Sequence, residues 1–425
     1  MIQKEMKKMF PYRWLIFSIL ATQYLIVYFH RVSPAVVASE LVDTFSISGA
    51  SLGLLASAYF YPYAIMQVPV GVLSDSWGAK KTIVLFSLIA CFGAICFGFS
   101  PDFKMAVVSR VLVGFGLSAS FIAIMCILVE WFRPMELARV SGLLMAIGGA
   151  GWFLATTPLA ILTHHFGWRA SIISVGVVSL LIVLFIWLMV EDAPEKKSSG
   201  DLAKSSDGPV VTKRDTIKDL KIIFKNKSFW AIAIWFIMRG GALFGFFGLW
   251  AGPYLIDVYK LSAGVTGSIL SMVAFAIISV SPVMGYISDK TLGSRKKVLV
   301  GTSVLNVLCW LFMLIFFESL SVVVLCVLFF FMGITISSVG TIAIVTAKEL
   351  FPHEMAGTSM GATNLFPFVG AVIFQPLMGY VLDKGGKIDG MYAPASYKIL
   401  LWVLFVTSII ALISIMKCRE TFKKV

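Results

Sequence analysis

The chain has 425 residues, 59% of them hydrophobic and only 13% charged, with a mean hydropathy of +0.93. A soluble globule of this size needs far more polar surface, so lipid must cover the remainder. The formal charge of +13 does not indicate nucleic acid, because the basic residues fall in short clusters between apolar runs instead of along one soluble face.

Runs long enough to cross a hydrocarbon core of ~30 Å predict an all-α membrane protein with twelve spans. Six lie near 14–36, 50–73, 81–99, 104–131, 138–163 and 169–190, and six near 229–256, 262–288, 297–317, 320–350, 356–382 and 395–417. The first follows Lys4, Lys7, Lys8 and Arg13 but is too long for a signal-peptide core and has no small-x-small cleavage site, so it is expected to remain as a helix.

Span one carries Tyr24, Tyr28, His30 and Arg31. An ionisable group inside a span is costly and by default marks a pathway. The acidic residues all fall in loops, in the linker or near span ends, so Arg31, and Arg239 in span seven, lack a carboxylate at similar depth. Two such guanidiniums favour an anionic ligand, which arginine grips with paired hydrogen bonds. Each has a structural alternative: Arg31 can snorkel to the interface, and Arg239 can serve helix packing. His30, the one histidine well inside a span, is the possible proton site; packing is its competing role. Arg110 in span four reads as a brace for span one. Tyr24, Tyr28, Trp152, Asn364 and Gln375 are candidates for further substrate contacts, though membrane bundles also use such residues for packing.

Span two closes on a charged cassette, Gly71-x3-Asp75-x2-Gly78-x-Lys80-Lys81, and span eight closes on another, Gly285-x3-Asp289-Lys290-x2-Gly293-x-Arg295-Lys296-Lys297. The sequence Glu130-Trp-Phe-Arg-Pro-Met-Glu136 after span four has a counterpart in Glu349-Leu-Phe-Pro-His-Glu354 after span ten. Six spans separate the copies, so both halves insert the same way up, as parallel repeats. The expected division is 1–190 and 228–425 as two six-helix bundles, with 191–227 as a linker.

That linker is polar and rich in Ser and Lys. Its end, with Ile217, Leu220, Ile223 and Phe224 among Lys218, Lys221 and Lys225, reads equally as an amphipathic helix on an anionic leaflet or as a tether with one helical turn. Lys and Arg concentrate at both termini, in the two cassettes, in the loop holding Arg133 and Arg139, and in the linker, which by the positive-inside rule puts all of these in the cytoplasm. The Asn226-Lys-Ser228 sequon then lies on a side where it is not glycosylated.

On these residues the chain resembles the major facilitator superfamily, most closely its organic-anion and organophosphate bacterial branches. The first cassette is similar to that family's loop 2–3 signature, with Ser76 in place of a basic residue, and Arg110-x3-Gly114-x-Gly116 is similar to its second. The resemblance implies alternating access, and the cassettes act as a latch. Gly71 and Gly285 would allow close helix approach, Gly78 the turn, and Asp75 a pair with Arg139; Lys80, Glu130, Asp289 and Glu349 lie at the same gate. The competing role for the cassettes is to set topology. Arg31 stands like the span-one arginine of the organic-anion branches. Arg239 is too far from Trp250, Tyr254 and Leu255 to match the organophosphate pattern, Leu117 stands where proton-coupled members have an acid, and the drug-antiporter signature of span five is not met.

The six cysteines and four histidines have no metal spacing, and no phosphate-binding loop for ATP is present. The expected protein is therefore a cofactor-free, non-enzymatic secondary transporter of the bacterial inner membrane. It takes a small organic anion or amino-acid-like carboxylate, with protons as a possible coupling ion and lipid as its surroundings, and works as a monomer. Efflux of a drug or siderophore, and a transporter-like sensor, are the alternatives.

Overall fold

The structure, a computed structural model, describes residues 2–194, 216–352, 355–388 and 390–422. It is helical except for connecting turns and one small antiparallel hairpin, in which Lys387–Ile388 pairs with Met391–Tyr392. Among the described residues, ten helical stretches are long and apolar enough to cross a membrane, and Ala38–Phe45 with Gly49–Ile65, bent by 114°, makes an eleventh. Arg139–Met189 counts as one stretch of 51 residues, which at 1.5 Å per residue is more than twice the ~30 Å of a hydrocarbon core. Its backbone breaks at Gly167, where φ is +76°. Lipid-facing surface is plain on these helices: Phe92, Phe99, Leu188 and Val323 are all well exposed, an arrangement that only an apolar surrounding tolerates.

The expected spans are less regular than apolar length suggested. The second is three pieces, Gly49–Ser57, Phe60–Ile65 and Gln67–Trp77. Ser48 starts the first of them by accepting the N–H of Ser51, which satisfies a donor that has no partner inside the helix. The seventh is an α-helix, Lys227–Gly240, then a π-helical stretch, Gly241–Trp250, then Ala251–Tyr259. Wider π turns shift the register of the backbone bonds, and such segments concentrate where a helix bends around a site. Asn226 caps this span, its Oδ1 accepting the N–H groups of Ser228 and Phe229.

Much of the linker, 195–215, lies outside the described residues, including its Lys213-Arg214-Asp215 cluster. Its end is a ten-residue helix, Thr216–Lys225. Ile223 is fully buried, while Ile222 and Phe224 are exposed.

The two halves of the chain meet along several helices. Gly49–Ser57 packs on Phe366–Gly385, both Pro134–Leu154 and Thr157–Met189 pack on Ala263–Tyr286, and the first helix, Ile2–Val36, packs on the π-helical stretch. One buried apolar cluster runs through both halves. A second, built around Phe229, Trp235, Leu299 and Ile415, belongs to the second half alone.

Both cassette turns depend on glycine, Gly78 with φ of +103° and Gly293 with φ of +52°, values that cost an L side chain energy. The close-approach role expected for Gly71 and Gly285 is not seen here. A Cβ added at either would meet nothing within 4 Å, because the helices carrying them face open space on that side.

Candidate functional site

Tyr24, Tyr28 and Arg31 recur at helical spacing, so one face of the first helix presents all three. They line a cavity of about 110 Å³ between the two halves of the chain, together with Tyr63, Trp152 and Asn364. That is the scale of cavity that admits one small ring-sized molecule. Ser281, Ser337 and Thr341 add hydroxyl groups to the wall.

Arg31 is 5% exposed and surrounded by rings. Its guanidinium carbon lies 4.9 Å from the Tyr28 ring centre, 4.8 Å from Tyr63, 5.3 Å from Phe368 and 5.9 Å from Phe244. Nη2 donates to the Tyr63 hydroxyl at 2.6 Å, and Nε has no hydrogen-bond partner. Ring faces stabilise a cation, but they do not neutralise it. Among the described residues Arg31 is the one charged side chain lining the cavity, and no carboxylate faces it there. A desolvated positive charge with a free N–H and polar hydroxyls around it suits an anion carrying hydroxyl or amine groups.

Other expected site residues lie elsewhere. Arg239 is buried, but it packs over the Trp235 ring at 5.8 Å and does not line the cavity. The Trp235 indole in turn donates to Ser303 Oγ at 2.9 Å, which places Arg239 in the packing of its own half. Gln375 is fully buried behind the cavity wall. Its Nε2 donates to the Phe244 carbonyl at 2.8 Å and its own carbonyl accepts the Trp250 indole N–H at 3.0 Å, so it ties down the π-helical stretch. His30 is buried beside Phe29 and outside the cavity lining. Its carbonyl accepts Arg110 Nη1 at 3.2 Å, so Arg110 braces the first helix.

Tyr63, Phe244 and Phe368, which apolar patterning does not single out, complete the box around Arg31. Tyr59 and Tyr63, one turn apart after a run of small residues, were the available signal.

At the cassette face, the side chains of Asp75 and Asp289 lie outside the described residues, and with them the expected Asp75–Arg139 pair. Arg139 is exposed. Lys80 lies over the Trp187 ring at 5.4 Å. Glu349 pairs with Arg295 at 3.2 Å and accepts the Thr421 hydroxyl at 2.8 Å, so it binds within the second half. Glu136 takes Arg13 in a two-pronged pair, both bonds 3.0 Å. Glu130 is exposed on the same face. The Arg13–Glu136 and Arg295–Glu349 pairs each stay inside one half of the chain.

The sequence profile of the Major Facilitator Superfamily matches residues 16–375. The chain belongs to this superfamily. An uncharacterized transporter, YybO of Bacillus subtilis (strain 168), is 25% identical over 427 residues, covering 95% of each chain. The hexuronate transporter of the same organism is 24% identical over 386 residues, 86% of this chain and 87% of its own length. Among solved structures, a D-xylose-proton symporter superposes with a TM-score of 0.77 at 13% identity, covering 97% of this chain and 99% of the other. The superfamily's fold is therefore that of this chain, the hexuronate relative is a transporter of an organic anion, and none of these comparisons indicates an enzyme.

Proposed function

We propose that this protein is a secondary transporter of a small organic monoanion, a sugar acid or similar hydroxylated or amino carboxylate, and that Arg31 holds the carboxylate. The observation that carries the reading is the Arg31 box: one buried guanidinium with an unpartnered N–H, four aromatic faces, neighbouring hydroxyls and no carboxylate in the described cavity wall. A single cation favours one negative charge over two, because a second carboxylate would be desolvated without a partner. The hexuronate relative points to the same class.

The proposed architecture is twelve spans as two parallel six-helix repeats, 1–190 and 228–425, joined by a cytoplasmic linker, 191–227. Both termini and both cassettes face the cytoplasm of a bacterial inner membrane. Gly167 divides the 51-residue stretch into spans five and six, and Gly49–Ile65 continued by Gln67–Trp77 makes span two. Gly71 and Gly285, unopposed in this structure, meet their partners when the cytoplasmic side closes, and rocking of one half on the other exposes the cavity to each side in turn. Coupling to protons would run through a group outside the cavity wall, of which His30 is the buried one on the helix of Arg31. The protein works as a monomer.

Reconstitution in liposomes tests this. Radiolabelled glucuronate and galacturonate should be transported in preference to dicarboxylates and neutral sugars, and Arg31→Ala should abolish transport. Equal transport of neutral sugars, or full activity of Arg31→Ala, would remove the basis of the substrate assignment. Adding and collapsing a pH gradient distinguishes proton symport from movement of the anion alone.

A further inference from the structure

The Gly-Tyr-x2-Asp-Lys run of the second cassette occurs a second time. Gly379-Tyr380-x2-Asp383-Lys384 repeats the second cassette, Gly285-Tyr286-x2-Asp289-Lys290, residue type for residue type at its fixed positions. This copy ends the helix Phe366–Gly385, at the end away from the cassette face in the proposed topology.

Its aspartate is fully engaged. Asp383 Oδ1 accepts the N–H of Gly49 and Oδ2 the N–H of Ala50, both at 2.7 Å, and the Tyr392 hydroxyl donates to Oδ1 at 3.2 Å. Gly49 and Ala50 are the first residues of the helix Gly49–Ser57, whose leading N–H groups have no partner within the helix and whose dipole favours an anion. The carboxylate thus comes from one half of the chain and the amides from the other. Backbone contact makes this possible: a Cβ on Gly379 would run into the Gly49 carbonyl, and one on Gly53 into the Gln375 carbonyl. At a different contact between the halves, Ser271 meets Thr156 and Thr157 by hydroxyl contacts of 2.7 and 3.1 Å.

We propose that Asp383, set by Gly379 against Gly49, is an outer latch, a positioning residue that holds the external gate shut while the cavity faces the cytoplasm. The inference rests on the alternating-access reading. Opening Arg31 to the outside requires these two amides to leave the carboxylate, so the latch determines how readily the outward-facing state forms. The cassettes and this run at 379–384 then act at opposite faces, and each is engaged when the other is released.

Hydrogen–deuterium exchange of the protein in lipid nanodiscs, without substrate, tests the latch independently of any solute. In Asp383→Asn, peptides covering 47–58 and 379–393 should exchange about tenfold faster, the scale of losing one charge-assisted hydrogen bond. Peptides covering the cassettes, 71–82 and 285–297, should become more protected, a reciprocal change that general loosening does not produce. Gly379→Ala, which separates the helices by a different route, should act in the same direction, and Asp383→Glu should restore part of the protection. Wild-type exchange at 47–58 in both Asp383→Asn and Gly379→Ala would overturn the proposal, as would loss of protection at both faces together. A protein that transports none of the tested acids can still pass or fail this test, so the two readings stand or fall separately.

Discussion

The Asp192 carboxylate accepts the backbone N–H of Lys80 at 2.6 Å. Asp192 follows the last helix of the first half, and Lys80 opens the helix after the first cassette, Ala79–Phe99. The second half repeats the relationship: Glu420, beyond the final helix Pro394–Met416, accepts the N–H groups of Arg295 at 3.0 Å and Lys296 at 3.3 Å, along with the Ser294 hydroxyl. In both halves an acid from the end of the bundle caps the helix that leaves the cassette, fixing the cassette turn to its own half. A gate element that must move as part of a rigid body gains from such an anchor.

Removing that anchor should loosen the turn without altering the cavity. Asp192→Ala should cost about 1 kcal/mol, as loss of a helix cap generally does, and should accelerate amide exchange over 78–83 while leaving the affinity for a bound acid unchanged. Loss of affinity together with unchanged exchange would contradict the assignment. Binding measured by fluorescence or calorimetry on the same preparation decides between them.

Arg31 is expected to be intolerant of lysine. The guanidinium stacks among four rings and keeps Nε free, whereas an ammonium has neither the planar face nor the paired donors. Arg31→Lys should weaken binding of a monocarboxylate at least ~10-fold. Tyr63→Phe keeps the ring and removes only the 2.6 Å hydrogen bond; its effect should be smaller, about 3- to 10-fold. Titration of both variants with glucuronate orders the two effects, and an Arg31→Lys protein binding as tightly as wild type would show that charge alone suffices.

Gln375 separates stability from binding. Its side chain holds the Phe244 carbonyl and its main chain holds Trp250, yet it does not touch the cavity. Gln375→Leu leaves the buried Phe244 carbonyl without that donor, at a cost of about 1–3 kcal/mol. The melting temperature in detergent should fall, and substrate affinity in the folded protein should change less than for Tyr63→Phe. An affinity loss equal to that of Arg31→Lys would place Gln375 in the site after all.

The difference between Arg31 and Arg239 shows what the sequence could and could not convey. Both are isolated cations in apolar spans, and hydropathy alone ranks them together. What separates them is the side of the helix each faces in a span that turns from α to π geometry just after Arg239, a change with no period in the sequence. Apolar helices and the cassette turns were legible because a membrane imposes length, and because Gly78 and Gly293 need a backbone that few other residues accept. Tyr24, Tyr28, Trp152 and Asn364 were legible as polar or amphipathic groups in apolar runs. Phe244 and Phe368 were not, since a phenylalanine in a span reads the same whether it faces lipid, core or a guanidinium. The Gly-Tyr-x2-Asp-Lys run at 379–384 was visible in the letters, but the partner of its aspartate is two backbone N–H groups, which every residue except proline carries.

Acid should release the second-half anchor before the fold is lost. Burial raises the Glu420 carboxyl, but the Ser294 hydroxyl and the N–H groups of Phe422, Arg295 and Thr421 outweigh it and hold Glu420 below the ordinary carboxylate range. A carboxylate with a depressed value contributes stability that is fully present above its unfolded value, and that stability is lost as pH falls through the folded one. Protection of the Arg295 and Lys296 amides, corrected for intrinsic exchange, should therefore stay level from neutral pH down to about 5 and decline below about 4. Glu420→Gln should show reduced protection at neutral pH and no such step. Should the wild type show a step near pH 6.5, where histidine titrates, the release would belong to another group and Glu420 would not be the anchor.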